Sequence, residues 1–323
     1  MAHAASVAKI GDVIVFLDGQ YESAGSGVLI PHGVDLIALH PRKATLHASA
    51  GDLLELTGRT RIVGLALVVD LGRALFLRGA AQVDASEIRI TGAGKRFVDL
   101  QDQAQLTLED SELFMTPPDL TFSAYLLSEL DGVGALIVKR SKLHGCVAGI
   151  YGQVPKALTV ADCELYDFDH AAIDLFGLGG NVTISGSSVR NTNALGIIFA
   201  STITLIHFEL RNSEIAAGPA AWQGNLWLDG AAGSTFDLGT FAEPGGNVIL
   251  GGSAASAGVT VHLASALVSA VGNTWVANQQ GADAQGKYVV SDGDTLELSG
   301  PLAIGFNYGL VAGAKLRLAQ SAP

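Results

Sequence analysis

Charge is scarce in this chain: only 15% of its 323 residues are Asp, Glu, Lys or Arg, two are cysteine and nine are proline. Each shortage removes a class of protein. Two cysteines cannot build a disulfide framework, and no C-x-x-C or H-E-x-x-H spacing offers a metal site. Lys and Arg number 19 against 31 Asp and Glu, a formal charge of −12. That balance argues against nucleic acid, which is gripped by a basic stripe along its phosphates. No apolar run approaches the ~18 residues of a membrane helix. The longest candidate, residues 194–206, is interrupted by Gly196, Ser201, Thr202 and Thr204. There is no G-x-S-x-G elbow for a nucleophilic serine. The glycine pairs at Gly179, Gly245 and Gly251 lack the Lys-Ser/Thr that completes a phosphate-cradling loop. The opening, MAHAASVAKIGDVIVF, has no basic start and enters strand-like sequence at once, so it does not read as a secretory leader. The expectation is a cytosolic protein or one whose leader has been removed.

What is abundant is glycine, at 40 residues, and a short line that recurs. It reads apolar, any, apolar, any, small or polar, Ser/Cys, any, apolar. Copies are AQVDASEI (81–88), LTLEDSEL (106–113), LIVKRSKL (136–143), LTVADCEL (158–165), VTISGSSV (182–189) and FELRNSEI (208–215). Their starts lie 25, 30, 22, 24 and 26 residues apart, the period of a solenoid. A second line sits between them: LLEL (53–56), ALFL (74–77), FVDL (97–100), GIYG (149–152), AIDL (172–175) and GIIF (196–199). Alternation of period two makes each a strand with one buried face. Gly, Asn and Asp punctuate the corners, where positive φ costs them least.

The leucine/asparagine consensus of leucine-rich repeats is absent, and the period is too short for a propeller blade. The reading is an all-β, single-stranded right-handed parallel β-helix of roughly ten rungs, one domain over residues 1–323. Its first rungs fill 1–40, its regular rungs 81–215, and irregular rungs with a cap 216–323. Ser86, Ser111, Ser141, Cys163, Ser187 and Ser213 should stack as an inward file, with hydroxyls bonding between rungs. Glu87, Glu112, Lys142, Glu164, Ser188 and Glu214 form the outward column beside it, worth ~0–1 kcal/mol per exposed ion pair. Cys163 belongs to the file and Cys146 to a turn, so both thiols should be buried and outside any disulfide.

The segment from Gly11 to Tyr21, GDVIVFLDGQY, resembles the first rung of many bacterial pectate-lyase-like β-helix proteins, and GVDLIAL (33–39) resembles their second. FDLGTFAEPGGNVI (236–249) and VGNTWVANQQGADAQGKY (271–288) are similar to the C-terminal rungs of a branch of bacterial secreted or lipid-anchored proteins of unknown function. Asp18 departs from the first-rung pattern, which usually has an apolar or small residue there. The resemblance implies the β-helix fold and a secreted or cell-surface location.

Enzymes of that superfamily work in a groove along one sheet, lyases with carboxylates holding Ca²⁺ and a base for the sugar C5 proton, hydrolases with paired carboxylates. The densest candidate cluster is Asp162, Glu164, Asp167, Asp169, His170 and Asp174. Register would place Tyr151 beside Asp174 on an outer face, with Asp99 two rungs back, as in sites that hold sugars by an aromatic face and a carboxylate. Trp222, Trp227 and Trp275 sit by corners, as core covers or as a sugar platform. The hydrolase pattern of paired Asp with a His-Gly motif is not reproduced, and no lyase base stacks on the acidic cluster. The leading expectation is therefore a non-catalytic, secreted or cell-surface protein that contacts carbohydrate or serves structurally, with Tyr151, Asp174, Trp222 and Trp227 toward the ligand. One alternative is a polysaccharide lyase or glycoside hydrolase on an acidic polysaccharide, acting from Asp167, Asp169, Asp174 and His170. Another is self-assembly into homo-oligomers through exposed end rungs. No cofactor or resident metal is expected, with Ca²⁺ left open.

Overall fold

The alternating stretches become short parallel strands in the computed structural model. It describes residues 1–23, 27–119, 124–129, 133–177, 179–193, 195–200, 205–216, 224–230, 233–240, 242–250, 257–263, 267–270, 272–276, 287–292, 295–298, 308–310 and 315–318. The chain divides into two compact units, Met1–Ala157 and Leu158–Pro323. In the first, one face is built from Val13–Phe16, Asp35–Ala38, Arg59–Val63, Gln82–Ser86, Gln105–Glu109 and Ala135–Lys139. Each strand pairs in parallel with the next. Register stacks Ile14, Leu36, Ile62, Ala85, Leu108 and Val138 above one another. Leu46, Leu67, Ile90, Leu113 and Leu143 make a second such file, and Leu54, Leu75, Val98, Leu127 and Ile150 a third. These last ten side chains are all buried. Burial of a Leu or Ile contributes ~1.5–3 kcal/mol, so each such file adds to the unit's cohesion.

The second unit repeats the plan. On its corresponding face Asn181–Ser185, His207–Arg211, Thr235–Asp237, Leu267–Ser269, Thr295–Leu298 and Lys315–Leu318 pair in parallel, in that order. Phe199, Phe208 and Phe236 meet in its core with ring centroids 4.9 to 6.3 Å apart. The result is the all-β right-handed parallel β-helix that the repeat implied, the hand that parallel crossovers take. The coil count departs from the roughly ten expected. Among the described residues six strands line the cited face in the first unit and seven in the second, Ala157–Ala161 preceding the six above. Irregular coils at both ends do not write the repeat clearly enough to be counted from sequence. Among the described residues one short helix, Ala2–Val7, packs on the strand Val28–Ile30 and buries Ala5.

The small-residue file works as expected from Ser111 onward. Ser111 Oγ accepts from the Ile88 amide at 3.2 Å and donates to the Glu109 carbonyl of its own coil at 2.6 Å. Ser141 Oγ does the same for Ser111 N and Lys139 O. In the second unit Ser187 Oγ accepts from Cys163 N, and Ser213 Oγ from Ser187 N, each at 3.1 Å. Asn247 and Asn273 continue the column, taking the amides of Ser213 and Asn247. Ser86 is the exception. It pairs with Glu109, so the residue opposite Ser111 is Ile88, and the first copy of the repeat runs two residues out of step. Arg89, not Glu87, therefore faces Glu112, to which it is bound at 3.1 Å. Cys146 and Cys163 are buried, neither in a disulfide, and each thiol donates to a nearby carbonyl.

Candidate functional site

In the second unit the strand Glu164–Phe176 runs through thirteen residues and rounds a corner on the way. Asp167 forms that corner in the left-handed region, φ 60°, and is exposed. An Asp tolerates such a conformation because its short side chain satisfies local backbone groups. Phe168 turns inward and is buried, which sends Asp169 outward, where its Oδ1 accepts from Asn193 Nδ2 at 2.9 Å. His170 Nε2 lies 3.2 Å from Asp174 Oδ2, the histidine side chain 34% exposed and the carboxylate 14%. With Nε2 bound to the carboxylate as donor, Nδ1 is left as the acceptor, a base held in one orientation. Asp174, Ile198 and Trp227 occupy one outward file on successive coils. Trp227 packs half-buried on Ala171, Leu195 and Ile198. Beside these, Tyr166 pairs with Arg190, whose guanidinium lies 5.2 Å from the ring centroid and binds Glu164 at 2.7 Å. His170, Asp174 and Trp227 thus come together, Asp169 is fixed by Asn193, and Asp167 and Asp162 serve the corners, both at positive φ.

In the first unit the outward file reads Glu55, Phe76, Asp99, Ser128, Tyr151. Asp99 stands two coils from Tyr151, as the repeat predicts. Tyr151 stacks on Tyr125 with centroids 3.9 Å apart and planes 4° from parallel. Its expected neighbour Asp174 belongs to the second unit. Asp99 is buried, accepting from Ser128 Oγ at 2.9 Å and from Arg73 at 2.7 Å. The same guanidinium clasps Asp52 through Nε at 2.9 Å and a terminal nitrogen at 2.6 Å, and lies 3.5 Å from the Phe76 centroid. Hydrogen bonds to Asp52 lead the effects that raise the Arg73 pKa above its ordinary value, with burial opposing. The sequence reading missed Arg73, Asp52 and Ser128. The available signal was spacing: Asp52 and Arg73 each precede a copy of the second repeat line by one residue.

Trp222 lies outside the described residues, as does the side chain of Trp275. Among the described residues no three His, Cys, Asp or Glu side chains converge as a metal site. No described helix is long and apolar enough to cross a membrane.

No family model matches the chain, and no curated protein matches its sequence. Solved structures do. The A-module of the Azotobacter vinelandii mannuronan C-5 epimerase AlgE4 aligns over 98% of this chain and 91% of its own, at 13% identity and a TM-score of 0.54. The fold is that of the pectate-lyase-like right-handed β-helix proteins. A mannuronic acid specific polysaccharide family 6 lyase from human gut microbiota aligns over 94% of this chain and 77% of its own, at 10% identity and TM-score 0.45. Pectate lyase Pel9A covers 98% and 72%, at 12% and 0.41. The expectation of a non-catalytic carbohydrate-contacting or structural protein is corrected here. The coil shared with the epimerase module is one that carries an enzyme there.

Proposed function

We propose that the chain is an enzyme of acidic polysaccharides that removes the C5 proton of a uronate residue. His170 is the base, Asp174 orients it, and the partly buried Trp227, seated on the buried Ile198 and Leu195, offers the apolar platform for a sugar ring. The observation that carries this reading is the His170–Asp174 pair at 3.2 Å beside that platform. The shared fold supports it, since the matched module is named for chemistry at C-5 of mannuronan.

The C5 hydrogen lies next to a carboxylate and is weakly acidic, so the base needs a fixed approach and a cation to offset charge on the carboxylate. We assign that role to Arg190, held by Glu164 over Tyr166, both on the strand that carries His170. His170 takes the C5 proton and the electron pair moves into the carboxylate. Collapse then either expels the C4 oxygen, which takes a proton from water and leaves an unsaturated sugar behind it, or takes a proton from water on the opposite face of C5. A secreted or cell-surface location accords with such a substrate.

The test is incubation with polymannuronate and polygalacturonate in deuterium oxide. Near-ultraviolet absorbance reads elimination, and nuclear magnetic resonance reads deuterium at C5. Activity on one of these polymers is expected, with His170→Ala lowering kcat/KM ~10²–10⁴-fold, the usual worth of a general base. Absence of both signals on both polymers, or full activity in His170→Ala, refutes the assignment.

A further inference from the structure

Within the first unit, away from the His170 corner in sequence, a groove of about 500 Å³ opens beside Arg73, lined by Asp52, Leu71, Arg73, Lys95, Arg96 and Asp99. Three cations face two carboxylates in it, a local excess of positive charge in a chain whose formal charge is −12. The carboxylates are spent on Arg73, which Asp52 and Asp99 hold at 2.6 to 2.9 Å. Lys95 and Arg96 have no ion-pair partner among the described residues. A guanidinium has five N–H donors. Three bonds reach Asp52 and Asp99, so two donors of a side chain that is 25% exposed stay available.

The floor is closely packed. Gly72, at φ 90°, lies so close to the preceding coil that a Cβ would overlap the Gly51 carbonyl, and Arg73 rests on Phe76. A cation fixed by buried partners loses little freedom when it binds, so its interaction with an anion is kept as affinity. Along the same coils Arg96 pairs with Tyr125, whose ring stacks on the half-buried Tyr151. Aromatic faces next to cations suit a ring that carries a carboxylate better than they suit a bare ion.

We infer that this groove is a second carbohydrate site, binding the carboxylate of a uronate residue through Lys95, Arg96 and the free edge of Arg73. It stands independently of the catalytic reading, because none of its residues belongs to the His170 corner.

The probe is trimannuronate, titrated calorimetrically into the full chain, with sodium sulfate and maltotriose as parallel ligands. His170→Ala serves as the background, so turnover and the other unit's base do not enter. Trimannuronate is expected to bind, maltotriose not to, and Lys95→Gln/Arg96→Gln to weaken binding at least tenfold with an unchanged circular dichroism spectrum. Sulfate bound as tightly as the trisaccharide would make the groove a simple anion site and overturn the proposal. So would equal affinity in the double variant, or the absence of trisaccharide binding. Loss of catalysis on every polymer with binding here intact would reject the enzyme and leave this site standing.

Discussion

Asp99 is a fully buried carboxylate, tolerated because Arg73 and Ser128 occupy its oxygens. Removing one partner of a buried charge pair is costly even where the pair itself adds little. Asp99→Ala should lower unfolding free energy by about 3 kcal/mol, the low end for such a loss, since Arg73 keeps Asp52. Asp99→Asn keeps a group for Ser128 and should cost less. Urea denaturation of the two variants checks the order, and equal losses would mean that the charge of Asp99 is not what the site uses. The same arithmetic of partners describes His170, whose single described partner, Asp174, fixes one ring nitrogen, as the proposed role of a base requires.

The coil corner is held by a ladder in which each small side chain takes an amide from the preceding coil and gives its proton to its own. Ser187→Ala would leave the buried Cys163 amide without its acceptor, a loss of about 1–3 kcal/mol. Ser187→Cys should be milder, because Cys163 already fills this column with a thiol bonded to the Ala161 carbonyl. Ser86 provides the control. Facing Glu109 outside the ladder, its alanine variant should stay within about 0.5 kcal/mol of the parent, as ordinary surface substitutions do. If thermal or urea denaturation finds Ser86→Ala as damaging as Ser187→Ala, the two-residue offset of the first copy is wrong.

Both units carry carboxylates whose pKa lies below the ordinary range. Hydrogen bonds from Arg140 hold that of Asp110 down; for Asp237 burial pushes upward, but the bonds from Arg211 and the Gly239 amide prevail. Their stabilisation is present above the unfolded carboxylate pKa and is lost as pH falls through the depressed values. His47, in the first unit alone, works in the opposite sense. Burial disfavours its charge, yet Asp70 and Glu22 hydrogen-bond its two ring nitrogens at 3.1 and 2.8 Å and raise the pKa above 6.5. That contribution is complete below pH ~6.5 and fades as pH rises through the folded value. Stability followed by urea midpoint should therefore fall on the alkaline side in the parent, and His47→Gln should flatten that limb while leaving the acid limb unchanged. An unaltered alkaline limb in His47→Gln would remove the histidine from this account.

Coil period, all-β class, inward small-residue file and thiol state were legible along the chain because they are local: side chains alternate with period two, and only small or turn-forming residues fit the corners. The first copy misled for the same reason, since a slip of two residues keeps every side chain on its own face and the pattern cannot register it. The strand Tyr125–Glu129 went unread because the coil that holds it is lengthened, to a spacing of 30 residues. Asp99 and Tyr151 could be placed on one file by counting, but the clasp of Arg73 on Asp52 and Asp99 could not. It joins residues 21 and 26 positions apart, and whether a long flexible side chain spans neighbouring coils is set by packing in three dimensions. Repetition wrote the scaffold into the order of residues; the charges that meet on it were brought together by winding.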